Sequence, residues 1–243
     1  MIVVPTLIVE GGKCLGLGNS TSNNTKDTDN PLEMAQELKQ AGFTRIRLVD
    51  RDGLSHEDAI QWLVLETIAR RTSLEIDFEG GISTAEQLKL ALDLGVSKAI
   101  IGDIAVKKYG IFRHWVFRYK AQNIILSSKL IGRNIHLEGW NANVKTSILD
   151  FIKMYHLIGV RQFMCTDLQE ADIRHDERLE LYREILKNYR TVKLFIGNGV
   201  RNLQDVEDLF LAGCQVAYMD AVAFKGNTDY SDILKFNLLH EGA

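Results

Sequence analysis

The chain has 243 residues, 46% hydrophobic and 25% charged, with a formal net charge of −3 and a pI near 6.1. That balance describes a globular protein with a sizeable core and argues against nucleic-acid or membrane-surface partners. Only two prolines occur, Pro5 and Pro31, which argues against a linker-rich architecture. No apolar run approaches the roughly 20 residues of a membrane span, and no basic-then-apolar leader is read at the start, so a cytoplasmic protein is expected. Cys14, Cys165 and Cys214 are odd in number and sit in apolar contexts, which predicts buried free thiols.

Along the chain, a strand is predicted at 2–9, then a polar low-complexity stretch at 18–27 that reads as a lid or a solvated loop, then a helix at 32–41. Strand and helix alternate from there: 45–50 and 57–70, 74–78 and 84–94, 98–102 and 107–119, 123–127 and 144–156. The series ends with 162–165 and 178–189, 192–196 and 203–212, and 215–219 and 231–239. The strands are nearly continuous apolar runs, as strands buried on both faces require. Eight such units with no segment left over predict a single α/β domain over 1–243, a (β/α)8 TIM barrel; a doubly wound open sheet seldom uses eight even units. Trp62, Phe112, Trp115 and Phe117 fall at helical spacing and are expected on the inner faces of their helices.

An internal repeat supports closure. Gly80-Gly81-Ile82-Ser83 leads a helix to Leu94-Gly95-Val96 and a strand ending at Gly102-Asp103. Gly197-Asn198-Gly199-Val200 leads a helix to Ala212-Gly213-Cys214 and a strand ending at Met219-Asp220. The copies lie 118 residues apart, counted from Ile82 to Val200, close to half the chain, and so predict two half-barrels.

The glycine turns after these strands are where backbone N–H groups cradle an anion. Yet Glu79, Asp103 and Asp220 stand there, and a carboxylate about 4 Å from a phosphate costs on the order of 4 kcal/mol at a surface-like dielectric. With Asp50 and Asp167 these carboxylates are expected to form an acidic rim with Lys129 as its cation. Such a rim would suit a cationic ligand; alternatively its members cap helices or pair with Lys129, Lys107 and Arg51 and bind nothing. A salt-bridged Lys129 is expected rather than an amine that attacks carbonyls. The six histidines show no metal-ligand spacing, so neither metal nor cofactor is expected.

Val4-Pro5-Thr6-Leu7 with Gly12-Lys13, Leu48-Val49-Asp50, Gly80-Gly81-Ile82, Ile101-Gly102 with Ala105-Val106-Lys107, Gly139-Trp140 and Cys165-Thr166-Asp167 occur in one order along the chain. In these segments the sequence resembles the HisA family, the phosphoribosylformimino-AICAR ribotide (ProFAR) isomerases of histidine biosynthesis and siblings of HisF. The resemblance implies an Amadori rearrangement run by two aspartates, one general base and one general acid. The family's first-strand aspartate falls at Ile8 and its fifth-strand aspartate at Lys129. An isoleucine carries no proton, and a lysine inverts the charge. The resemblance places the substrate-binding positions at Asp50, Glu79, Gly80, Gly81, Gly102, Asp103, Trp140, Gly197, Gly199 and Asp220, with Thr166 and Asp167 retained. It therefore implies a relative of the isomerase without its activity, serving a small-molecule ligand at the barrel mouth or a protein partner. An active sugar-phosphate isomerase with a rearranged site is the alternative.

Overall fold

The structure, a computed structural model, describes residues 1–15, 29–56, 58–136, 146–168, 175–221 and 229–240. Its strands are β1 (Ile2–Glu10), β2 (Lys13–Cys14), β3 (Arg45–Asp50), β4 (Glu75–Glu79), β5 (Lys98–Ile101), β6 (Ile124–Ile131), β7 (Asn134–His136), β8 (Gln162–Asp167), β9 (Lys193–Ile196) and β10 (Val216–Asp220). Its helices are α1 (Pro31–Ala41), α2 (Arg51–His56), α3 (Trp62–Thr72), α4 (Ala85–Asp93), α5 (Ile104–Lys107), α6 (Tyr109–Tyr119), α7 (Ile148–Leu157), α8 (His175–Asn188), α9 (Leu203–Leu211) and α10 (Tyr230–His240).

The sheet runs in the order β10-β9-β8-β6-β5-β4-β3-β1, and β10 also pairs with β1, so the ladder returns to its first strand. This is the (β/α)8 barrel. β2 and β7 are short antiparallel additions, on β1 and β6 respectively. The strands are lined with Val, Ile, Leu and Phe and their residues are mostly buried, which explains why they read as unbroken apolar runs.

Two compact units share the chain, one of residues 4–99 and 220–238, the other of 1–3, 100–219 and 239–243. The repeat is visible in each of them bond by bond. In the first, Thr84 caps α4 and accepts from the Gln87 N–H, Gly95 turns at φ +97°, and Val96 N–H donates to Ala91 at 3.1 Å. In the second, Asn202 caps α9 and accepts from the Asp205 N–H, Gly213 turns at φ +89°, and Cys214 N–H donates to Leu209 at 3.1 Å. These pairs keep the register set by Ile82 and Val200. A left-handed glycine just past the last helical turn is the device that stops a helix and aims the chain into the next strand.

Several boundaries differ from the sequence reading. The helix predicted at 57–70 is instead α2 and α3, because the Asp50 carboxylate gathers the N–H groups of Gly53, Ile60 and Gln61 and pins a turn between them. The helix predicted at 107–119 is α5 and α6, broken at Lys108, whose φ of −138° and ψ of 59° are not helical. The strand predicted at 123–127 continues to Ile131 and turns back through Gly132, at φ +61°, into β7. Phe112 and Trp115 are buried as expected, and Trp62 packs partly buried against Phe78. Phe117 is 71% exposed, one position off the buried stripe of α6. The stretch at 18–27 lies outside the described residues. Cys14, Cys165 and Cys214 are buried free thiols, and burial pushes the Cys14 and Cys165 thiols up to about 12, far from reactive thiolates.

Candidate functional site

In the unit containing β1, β3 and β4, the inner face is set by strand alternation. Thr6 is opposite Arg47 and Ile8 opposite Val49 in the β1–β3 ladder, and Arg47 is opposite Asp77 and Val49 opposite Glu79 in the β3–β4 ladder. Side chains two apart on a strand share a face, so Arg45 and Arg47 meet Asp77 and Glu79 diagonally. Arg45 pairs with Asp77 at 2.8 Å, with Asp77 fully buried. Arg47 grips Glu79 through both Nε, at 3.1 Å, and a terminal nitrogen. Both of these side chains are at most about one-eighth exposed. Glu79 is thus neutralised by its neighbouring strand, and not by Lys129, Lys107 or Arg51. Ile8 presents only hydrocarbon on this face, while the Thr6 hydroxyl is buried with no hydrogen-bond partner among the described residues.

Asp50 is fully buried, and its two oxygens accept three backbone N–H groups: Gly53 at 2.7 Å, Ile60 at 2.7 Å and Gln61 at 2.8 Å. The predicted anion glycines are engaged in the same local packing. A Cβ at Gly80 would meet the Phe78 ring and the Asp50 Cβ, and one at Gly81, where φ is +69°, would strike the Gly53 carbonyl. A Cβ at Gly53 would in turn meet the Gly80 carbonyl at 2.6 Å. Three backbones interlock here with no room for a side chain. Asp220 also belongs to this unit. Surrounding protein pushes its carboxyl up and Arg47 opposes that; more than a third of the residue is in solvent, where water screens both effects.

In the other unit, Gly102 follows β5 with open space where a Cβ would stand, so packing does not explain that glycine. Asp103 makes no side-chain cap on α5; its carboxylate lies 3.8 Å from Lys107. Gly197 follows β9 because a Cβ there would collide with the Thr166 hydroxyl, and its N–H donates to the Cys165 carbonyl at 2.8 Å. Gly199 has φ +80°. Asn198 acts as a side-chain extension of the ladder: it accepts from the Asp167 N–H at 2.9 Å and donates to the Asp167 carbonyl at 2.7 Å.

Asp167 is opposite Leu130 in the β6–β8 ladder, so it faces the helices and not the inner face. It lines a cavity of about 230 Å³ with Leu130, Arg133, Arg178 and Tyr182. Lys129 is opposite Thr166 on β8 and His136 on β7, on the inner face. It forms no ion pair with any described residue, which overturns the expectation that it is the cation of an acidic rim. Trp140 lies outside the described residues. No group of three or more His, Cys, Asp or Glu side chains is placed to hold a metal ion among the described residues.

Sequence reasoning missed Arg47, Gly53 and Asn198. The signal for Arg47 was present, since Arg45-x-Arg47 and Asp77-x-Glu79 are charges at strand spacing inside otherwise apolar segments. Gly53 and Asn198 carry no local signal, because their roles depend on backbone from elsewhere in the chain.

A family model described as "Histidine biosynthesis protein" matches residues 2–229. A phosphoribosyl imidazole-4-carboxamide isomerase of Phocaeicola vulgatus is 33% identical over 235 residues, covering 96% of this chain and 98% of the relative. Isomerases of the same name from Bacteroides fragilis and Flavobacterium psychrophilum are 31% and 29% identical, over 96% and 98% of this chain and 98% and 99% of their own lengths. No helix among the described residues is long and apolar enough to cross a membrane. A match over nearly the whole length, on a barrel whose repeat is preserved hydrogen bond by hydrogen bond, makes this chain a member of the histidine biosynthesis protein family, on its HisA-like isomerase branch.

Proposed function

We propose that this chain is a HisA-like barrel that no longer runs the family's isomerisation and instead holds a different small molecule, or a protein partner, at the C-terminal ends of its strands. The observation that carries this reading is the chemistry at two positions, Ile8 and Lys129. An Amadori rearrangement needs one group to take a proton and another to give one, and the resemblance assigns both tasks to carboxylates at these positions. Isoleucine has no proton to exchange, and lysine at the second position reverses the field that a developing positive charge on the substrate would meet. The Arg47–Glu79 pair points the same way, because it places a bound ion pair on the inner face of β3 and β4. Such a protein is expected in the cytoplasm.

The active-isomerase reading is favoured by one specific observation, the one-third identity to proteins named as isomerases over almost the full chain. The two readings part on a single experiment, turnover of the isomerase substrate by purified protein, supported by complementation of a histidine-requiring strain. The proposal expects neither turnover nor growth.

A further inference from the structure

Four polar side chains on the inner face of β6 and its neighbours make no hydrogen bond or ion pair among the described residues. Lys129 and Ser127 are two apart on β6 and share a face. Thr166 is the register partner of Lys129 on β8, and His136 its partner on β7. All four side chains are partly buried, and none has a hydrogen-bond or ion-pair partner among the described residues. Alternation turns the nearest backbone neighbours, Ser128 and Asp167, to the other face, where Ser128 donates to the Met164 carbonyl at 2.7 Å. The Thr166 hydroxyl lies against Gly197, just past β9, and fills the place where a Cβ on that residue would stand.

A partly buried ammonium with no ion pair among the described residues, beside two hydroxyls and an imidazole, leaves a place for an anion. The ammonium has only donors, and both hydroxyls are free to donate. Desolvating a cation is costly unless an anion meets it. We infer that Lys129, Ser127 and Thr166, with His136 at the side, form a binding site for the oxyanion of a small acidic metabolite, a carboxylate or a phosphate monoester. Lys129 supplies the charge, and the hydroxyls of Thr166 and Ser127 fix the orientation by charge-assisted hydrogen bonds. This deepens the proposed function by giving its ligand a chemical class, and it rests on Lys129 not serving as the proton-transfer group of an isomerase.

The test is calorimetric titration of the full chain with inorganic phosphate and, separately, with citrate, at constant ionic strength. Wild type, Lys129→Met, Lys129→Arg and Thr166→Val are compared, with far-ultraviolet circular dichroism confirming that each variant is folded. The expected result is saturable binding of at least one anion, about tenfold or more weaker in Lys129→Met and several-fold weaker in Thr166→Val, with Lys129→Arg retaining most of it. Heat with phosphate alone assigns a phosphorylated ligand, and heat with citrate alone assigns a carboxylate. Absence of saturable binding to either anion by wild type overturns the inference. So does unchanged binding by a folded Lys129→Met protein, which would move the anion to the glycine turns. Isomerase turnover is measured on the same wild-type sample: turnover with Lys129-dependent binding defeats the proposed function but not the anion site, and no turnover with no binding does the reverse.

Discussion

The inner faces of two strand pairs in this barrel handle charge in opposite ways. On β3 and β4, Arg45, Arg47, Asp77 and Glu79 form a closed set in which each cation has its carboxylate. On β6 and β8, Lys129, Ser127 and Thr166 face inward with no hydrogen-bond or ion-pair partner among the described residues. Both pairs sit on a scaffold whose repeat is otherwise matched, down to the αL glycines that end α4 and α9. The difference teaches where to look for a ligand. A buried ion pair has its partner within the protein, whereas polar side chains with no partner among the described residues mark the place where we look for a ligand.

The largest expected effect tests the structural side of that contrast. Asp50→Ala strands three N–H groups around a fully buried site, and should lower stability by about 3 kcal/mol or more in urea unfolding. A loss under about 1 kcal/mol would mean that the turn holds itself, whatever Asp50 does.

Next comes the closed charge set. Arg47→Leu leaves Glu79 desolvated without its cation and should cost about 3 kcal/mol, while Arg47→Leu combined with Glu79→Leu should recover most of the loss. If the double variant is as unstable as the single one, the pair contributes more than mutual neutralisation and the contrast weakens.

Smaller effects follow on the open side. Asn198→Ala removes two hydrogen bonds to the Asp167 backbone and should cost about 1–2 kcal/mol. Lys129→Met should leave ligand-free stability unchanged or raise it by up to about 1 kcal/mol, because the cation it removes has no partner among the described residues. A clear loss on Lys129→Met in the absence of any anion would show that the lysine already has one.

The barrel itself was legible in the chain. Strands buried on both faces print as apolar runs, and the helix–Gly–strand repeat fixed the two halves. The capping residues Thr84 and Asn202 and the stop glycines Gly95 and Gly213 stand in matching places of the two copies. Chemistry at the strand ends was harder to place. Glu79, Asp50 and Asp103 read as one acidic rim because the sequence shows charge but not its partner. Arg47 meets Glu79 only through the β3–β4 register, and Asp50 meets the N–H groups of residues up to eleven positions onward. Asp167 reads as part of the same rim, although strand alternation turns it to the helix side, which a register known only to the nearest residue does not reveal. The glycines at 80 and 81 matched an anion cradle in sequence, yet their own packing against Gly53 already forbids a side chain.

The account stands most directly on a turnover assay. Purified protein is given the phosphoribosyl imidazole-4-carboxamide substrate of its named relatives, and formation of the isomerised product is followed. With Ile8 and Lys129 at the two positions where proton-carrying carboxylates are expected, the account predicts no product above the uncatalysed background. Steady-state turnover that depends on enzyme concentration would contradict it and return this chain to the working isomerases.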